Sequence, residues 1–579
     1  MLSQPSNLTD FPQTGASLST DKYLDHLTFI YGAEKGREIC QRLNQLVEDF
    51  RPKLSGLSSK PLTHEDAILI TYGDMVQDGD INRPHLETLN RFLSQQISDI
   101  ISTVHILPFY PWSSDDGFSV IDYLAIDEPL GDWTDVKTMR KSFRLMFDAV
   151  INHISQESDW FQRFLRGEKP YTNYFKTVDP SVDLSAVFRP RALPLLTPFN
   201  TANGTHHVWT TFSADQIDLN FESADLLLDV ITVLLKYIEY GAELIRLDAI
   251  GFMWKVPGTR SLHLPETHAI IQLMRAVLDE VAPQVMLVTE TNVPHVENIS
   301  YFGDGFNEAQ MVYNFSLPPL LMHAFHTGNA DYLVRWAASL ELPSDKTTFF
   351  NFCASHDGVG VTPARGILPD NEIEQMAARV EALGGRVSYK TNSDGSQSAY
   401  ELNINYLNAL GQPDVIETAE LKSKRFLASQ AVMLALRGVP GIYFHSLFGS
   451  ENWQEGVEQT GHNRTINRQK LNVDELQAEL TSGLRHQVFD GYSELLRARK
   501  NCKAFHPNGK QIIHELHPAV VAIERRHAGE SVFCVHNVSD TSVDVPMPMT
   551  GLFRDLISGR PLKAIVLEPY QYRWLKVLS

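Results

Sequence analysis

Arg246 and Asp248 stand two residues apart in the run Glu243-Leu244-Ile245-Arg246-Leu247-Asp248-Ala249-Ile250-Gly251. If that run is a strand, its side chains alternate with period two and both charges face the same side. Removing a guanidinium and a carboxylate from water is costly unless the two are paired and used. A structural ion pair would account for one such strand. Two more apolar runs end the same way: Val285-Met286-Leu287-Val288-Thr289-Glu290 and Phe349-Phe350-Asn351-Phe352-Cys353-Ala354-Ser355-His356-Asp357. Three apolar strands that each deliver a carboxylate at the C-terminal end describe a barrel enzyme that breaks and makes glycosidic bonds.

Eight short apolar runs separated by helical patterns are available to position these groups. They are Ala67–Tyr72, Ser102–Pro108, Leu145–Ile151, Leu244–Asp248, Val285–Glu290, Met311–Phe315, Thr347–Ala354 and Gly441–His445. Strand and helix alternating eight times is the signature of a (β/α)8 TIM barrel in the α/β class. The spacing is uneven. We read 1–60 as a flexible tail followed by a helical extension, with the barrel in three parts at 61–154, 222–360 and 425–508. An insertion domain fills 155–221, and a second, lid-like insertion fills 361–424, because long excursions in compact domains are usually functional. From 509 to 579 short alternating strands predict a C-terminal β-sandwich. The helical extension is expected either to cover the barrel bottom or to make a homodimer contact.

Composition narrows the partners. The chain has 579 residues with 50 basic and 70 acidic side chains, a net charge of −20 that argues against nucleic acid. Four scattered cysteines with no metal-ligand spacing suit a reducing, cytoplasmic setting. No apolar stretch approaches the roughly 18 residues of a membrane helix, and the polar start lacks a signal-peptide pattern. Small molecules are the expected partners, with no membrane, no metal and no cofactor.

The strand ends carry a recognisable series. Asp148-Ala149-Val150-Ile151-Asn152-His153, Arg246-Leu247-Asp248-Ala249, Glu290 and His356-Asp357 follow the order and spacing of the α-amylase superfamily of glycoside hydrolases. Within it the chain most resembles the sucrose-phosphorylase group, through Leu107-Pro108-Phe109-Tyr110, Phe188-Arg189-Pro190-Arg191 and His356-Asp357-Gly358-Val359-Gly360. Closest is the glucosylglycerate phosphorylase branch, through the segment Pro111–Tyr123, Gly251-Phe252-Met253-Trp254-Lys255 and Glu290-Thr291-Asn292-Val293-Pro294-His295. The resemblance runs from about Asp21 to the C-terminus.

It implies a retaining α-glucosyl phosphorylase that interconverts glucosylglycerate plus phosphate with α-D-glucose 1-phosphate plus glycerate. By resemblance Asp248 is the nucleophile, Glu290 the acid/base and Asp357 the transition-state stabiliser. Arg246 would hold Asp248 ionised. Asp115, Phe118, His153, Arg246, His356 and Arg464 are implied for the glucosyl ring, and Arg191 and Asn292 for phosphate and acceptor. Asp148 and Asn152 are expected either to contact substrate or to brace their loop. Asn292 replaces a histidine of sucrose phosphorylases and Phe252 a tyrosine, which turns the acceptor away from fructose. Glycerate needs a cation, for which Arg189, Arg191, Lys255 and Arg260 are available. The alternatives are sucrose or glucosylglycerol phosphorylase, then an α-glucoside hydrolase. A catalytically dead transporter heavy chain on the same barrel is excluded by the three carboxylates retained here.

Overall fold

Eight parallel strands close a barrel: β1 Ile68–Thr71, β2 Thr103–Ile106, β3 Arg144–Ala149, β4 Leu244–Leu247, β5 Met286–Thr289, β6 Met311–Tyr313, β7 Thr348–Phe352 and β8 Val439–Tyr443. Each pairs with its neighbours in sequence, and β8 closes onto β1. The computed structural model describes residues 22–80, 82–191, 193–391, 396–546 and 551–577. The expected tail over 1–20 therefore lies outside the described residues.

Seven strands fall where the apolar runs predict. The eighth is displaced: β8 begins at Val439 and runs through Pro440, and the Phe444–Leu447 segment forms a helical turn instead of strand. Proline normally marks an edge or an end because it cannot donate to a ladder. Here Pro440 opposes Asn351 in the middle of a closed sheet.

Local signals fix the strand that carries the first two charges. The preceding helix, Ala224–Tyr240, starts at Ser223, whose side chain accepts from the Leu226 N–H. It stops at Gly241 with φ 117°, a conformation that favours glycine. The chain then enters β4 with no slack. At the opposite end of the barrel Arg499, 2% exposed, donates to the carbonyls of His64 at 2.7 Å, Asp66 at 3.0 Å and Gly438 at 3.2 Å. One guanidinium thus ties the segments leading into β1 and β8, where the barrel closes.

Between β3 and β4 lie a short antiparallel pair (His153–Ser155 with Gln216–Asp218), a helix Asp159–Leu165 and a hairpin Leu196–Thr201/Gly204–Trp209. Between β7 and β8 comes a three-stranded sheet of Val359–Gly360, Gln397–Asn403 and Arg386–Thr391. A six-stranded antiparallel sheet from Lys510 to Val577 and a two-stranded companion follow the barrel.

The N-terminal helices Leu24–Tyr31 and Ala33–Leu54 pack against the barrel helices Ala224–Tyr240 and Pro265–Val281. Tyr23 donates to Glu280 at 2.6 Å and Tyr31 to the Phe221 carbonyl at 2.7 Å. Among the described residues no helix is long and apolar enough to cross a membrane.

Candidate active site

Arg246 organises the strand ends. In β4 it sits in register with Asp148 of β3 and Val288 of β5. Its guanidinium is 2% exposed, pairs with Asp148, and reaches Asp248 Oδ1 at 2.8 Å and Glu290 Oε2 at 3.7 Å. Asp148 is fully buried and is met from the other side by His105 Nε2 at 2.7 Å. The residue after Asp248, Ala249, takes φ 47°, a region that non-glycine residues seldom occupy. That twist turns its N–H to donate to Glu290 Oε2 at 2.9 Å. Two strand ends are thereby locked together by one guanidinium and one strained backbone amide.

The electrostatics separate the carboxylates. Burial pushes Glu290 up to about 7; Arg246 opposes this while Asp248 and Asp357 add to it. Asp357 is held well below the usual carboxylate range: burial would raise it, but Arg464, His356 and Arg468 more than reverse that. Asp248 departs from expectation. Arg246 does pull it down, but burial outweighs that pull and the net shift is upward. A guanidinium shared with Asp148 cannot fully offset the desolvation of Asp248. Glu290 is thus the group that holds a proton near neutral pH.

A cavity of about 90 Å³ opens above these groups. Asp248, Glu290, Asp357, Asp115, Phe118, His153, His356, Arg464, Arg191 and Asn292 all line it, and Arg246 lies just beneath. On one side Phe118 stacks flat on His356, ring centres 4.6 Å apart and planes 4° apart. Burial lowers His356 to about 3, so its imidazole is neutral. His153 Nε2 faces the Phe118 carbonyl at 2.9 Å and Gln216 at 3.2 Å. Asp115 has φ 53° and lies 3.6 Å from Arg191.

Asn292, Phe252, Phe188 and Phe212 also line the cavity. Phe252 lies 6.2 Å from Phe188 and 5.4 Å from Phe212, centre to centre. A Cβ on Gly360 would come within 2.4 Å of Asn292 Nδ2, so only glycine leaves room for the amide. Asn292 Oδ1 is buried with no hydrogen-bond partner.

Two expectations are corrected. Lys255 is no acceptor cation: it is 4% exposed, and its Nζ is 3.0 Å from both Asp218 Oδ2 and Asn152 Oδ1. Arg260 is exposed and paired with Glu297 at 3.2 Å, outside the cavity wall. Neither Asp148 nor Asn152 lines the cavity: Asp148 is held by Arg246 and His105, and Asn152 accepts from Lys255. Lys255→Met should lower stability by about 3–5 kcal/mol, because it leaves Asp218 buried and uncompensated. A fall in the urea unfolding midpoint that Lys255→Met/Asp218→Asn partly restores would check this; no fall would refute it.

The sequence reading missed Glu401, Tyr400 and Gln216, which also line the cavity. Glu401 accepts Arg464 Nε at 2.9 Å and Nη2 at 2.7 Å, while Arg464 Nη1 reaches Asp357 at 2.5 Å. An acid in the alternating Tyr400-Glu401-Leu402-Asn403 run was the available signal. Asp115, Arg191, Tyr400, Glu401 and Arg464 also border an outer vestibule of about 750 Å³.

The model of the alpha amylase catalytic domain matches residues 97–357. The glucosylglycerate phosphorylase of Spirochaeta thermophila is 47% identical over 582 aligned positions, covering 96% of this chain and 98% of that one. That of Escherichia coli K12 is 45% identical over 562 positions, covering 96% and 100%. Among solved structures, sucrose 6F-phosphate phosphorylase from Thermoanaerobacter thermosaccharolyticum superposes with a TM-score of 0.73 at 24% identity. The match covers 88% of this chain and 99% of that one, a likeness of fold.

Proposed function

The chain belongs to the glucosylglycerate phosphorylase family within the α-amylase-type barrels, and from that premise we propose how its cavity works. The enzyme catalyses reversible phosphorolysis of glucosylglycerate to α-D-glucose 1-phosphate and glycerate. The observation that carries this is similarity to relatives of that name along nearly the whole of both chains.

An Asp248 oxygen attacks the anomeric carbon. As the bond to glycerate breaks, Glu290 passes its proton to the departing oxygen. A covalent β-glucosyl ester remains, and Glu290 is ionised. A phosphate oxygen then attacks the same carbon and Asp248 departs as carboxylate. A proton from the incoming phosphate returns Glu290 to its starting state. Two inversions retain the α configuration.

The shift of Glu290 to about 7 supports its role as donor. Asp357, Asp115 and Arg464 hold the ring hydroxyls, with Glu401 keeping Arg464 aligned. His356, which is neutral, bonds a further hydroxyl, as does His153, and Phe118 packs on the ring. Arg191, a third exposed and lining the cavity, receives phosphate, in keeping with guanidinium–phosphate geometry. Asn292, with an unpartnered oxygen, takes a hydroxyl of glycerate. A cytoplasmic location suits a phosphorylated product and the sparse cysteines.

The test is phosphate release from α-D-glucose 1-phosphate with D-glycerate, run beside fructose, glycerol and water. Glycerate is expected to be the fastest acceptor by at least about tenfold, the worth of one charge-assisted hydrogen bond. Fastest release with fructose or glycerol would change the acceptor, and release with water alone would mean a hydrolase.

A further inference from the structure

With Lys255 and Arg260 engaged elsewhere, the charge that recognises a carboxylate must come from another place. The ring of Phe188, which lines the cavity, is a meeting point of cations. Its backbone N–H donates to the Arg260 carbonyl at 2.9 Å. Above the ring lie the Arg260 guanidinium and, from the strand Arg386–Thr391, Lys390 Nζ, each 5.8 Å from its centre. Arg260 is neutralised by Glu297. Lys390 is half-buried; it stands outside the lining and meets the cavity across Phe188, and among the described residues no carboxylate pairs with it. Burial and the nearby Arg365 push the Lys390 ammonium down. A bound anion would reverse that shift.

We propose that Lys390 holds the carboxylate of glycerate at the acceptor mouth; this rests on the glucosylglycerate reading above. Bond counting separates this anion from phosphate. When phosphate reacts, its phosphorus is one bond from the attacking oxygen. When glycerate reacts, its carboxylate carbon stands at least two bonds from any attacking hydroxyl oxygen. The carboxylate therefore projects further outward, toward the face of Phe188 that Lys390 overhangs. Arg191, deeper beside Asp115, is left for phosphate. The Phe188 ring keeps water from the outer anion, which strengthens a lysine–carboxylate contact.

Lys390→Met keeps the apolar stem over Phe188 and deletes only the charge. In synthesis from α-D-glucose 1-phosphate, KM for D-glycerate is expected to rise about 10- to 100-fold. In phosphorolysis of α-glucosyl fluoride, which has no carboxylate, KM for phosphate should stay unchanged. Lys390→Arg should recover most of the glycerate affinity, which a purely structural lysine would not require. An unchanged KM for glycerate overturns the proposal, and so does an equal loss toward phosphate. A wild-type enzyme that fails to transfer to glycerate would overturn both this clamp and the acceptor assignment. Wild-type transfer whose KM for glycerate is unmoved by Lys390→Met would overturn the clamp alone.

Discussion

Asp248→Ala is expected to slow phosphorolysis by on the order of 10⁴–10⁶-fold, because the covalent route closes when the attacking group is removed. The fold should tolerate the change. Arg246 keeps its pairing with Asp148, and Asp148 keeps His105, so no buried charge is stranded. The structure also supplies a stereochemical readout. Truncation leaves a small space beside the guanidinium, open to an anion such as azide. With α-glucosyl fluoride and azide, the variant should form β-glucosyl azide, since attack comes from the vacated face. An α-azide product, or activity within tenfold of wild type, would remove Asp248 from the nucleophile's role.

The second large effect belongs to Glu290. Glu290→Gln should cut kcat/KM for glucosylglycerate by roughly 10²–10⁴-fold, the usual worth of a positioned proton donor. α-Glucosyl fluoride, whose leaving group needs no proton, should lose far less. In the wild type the donor must be protonated, so kcat/KM for glucosylglycerate should fall as pH rises through about 7. That limb should be absent with the fluoride. Stability should fall in the same direction of pH as activity. A carboxyl whose pKa is raised on folding holds its proton more tightly folded than unfolded. Its contribution is therefore intact below about 4.5 and is lost as pH rises toward about 7. Glu290→Gln should raise the thermal midpoint at pH 8 and change it little at pH 4. A rise at pH 4 as large as at pH 8 would refute the assignment of a raised pKa.

Much of this was legible before any coordinates because it depends on period and position. Apolar runs of four to six residues with an acid at one end identify barrel strands, and the three acids fall in one cavity as that placement implies. The eighth strand was misplaced by two residues because Pro440 reads as a terminator, and only barrel closure holds it inside. Conformation was less legible. Nothing in the letters announces that Asp115, Asp116 and Ala249 all adopt positive φ, although the Ala249 twist aims its amide at Glu290. Long-range pairing was least legible. Arg464 and Glu401 are 63 residues apart and meet only when the sheet after β7 folds back over the strand ends. Lys255 looked free because its partner, Asp218, lies 37 positions upstream in a different excursion.

The two excursions also differ from the barrel in what they can lose. Asp248 and Glu290 directly follow strands whose register is fixed by neighbours on both sides, so shifting either disturbs the whole ring. Phe188, Arg191, Lys390 and Tyr400 hang from segments inserted between strands, where length and sequence can change without breaking the ring. Lineages built on this plan can therefore exchange one acceptor for another by redrawing the inserted segments while inheriting bond-breaking chemistry intact. For the protein engineer this marks two separate territories: mutate the strand ends and the catalyst is lost, or reshape the excursions and the product changes.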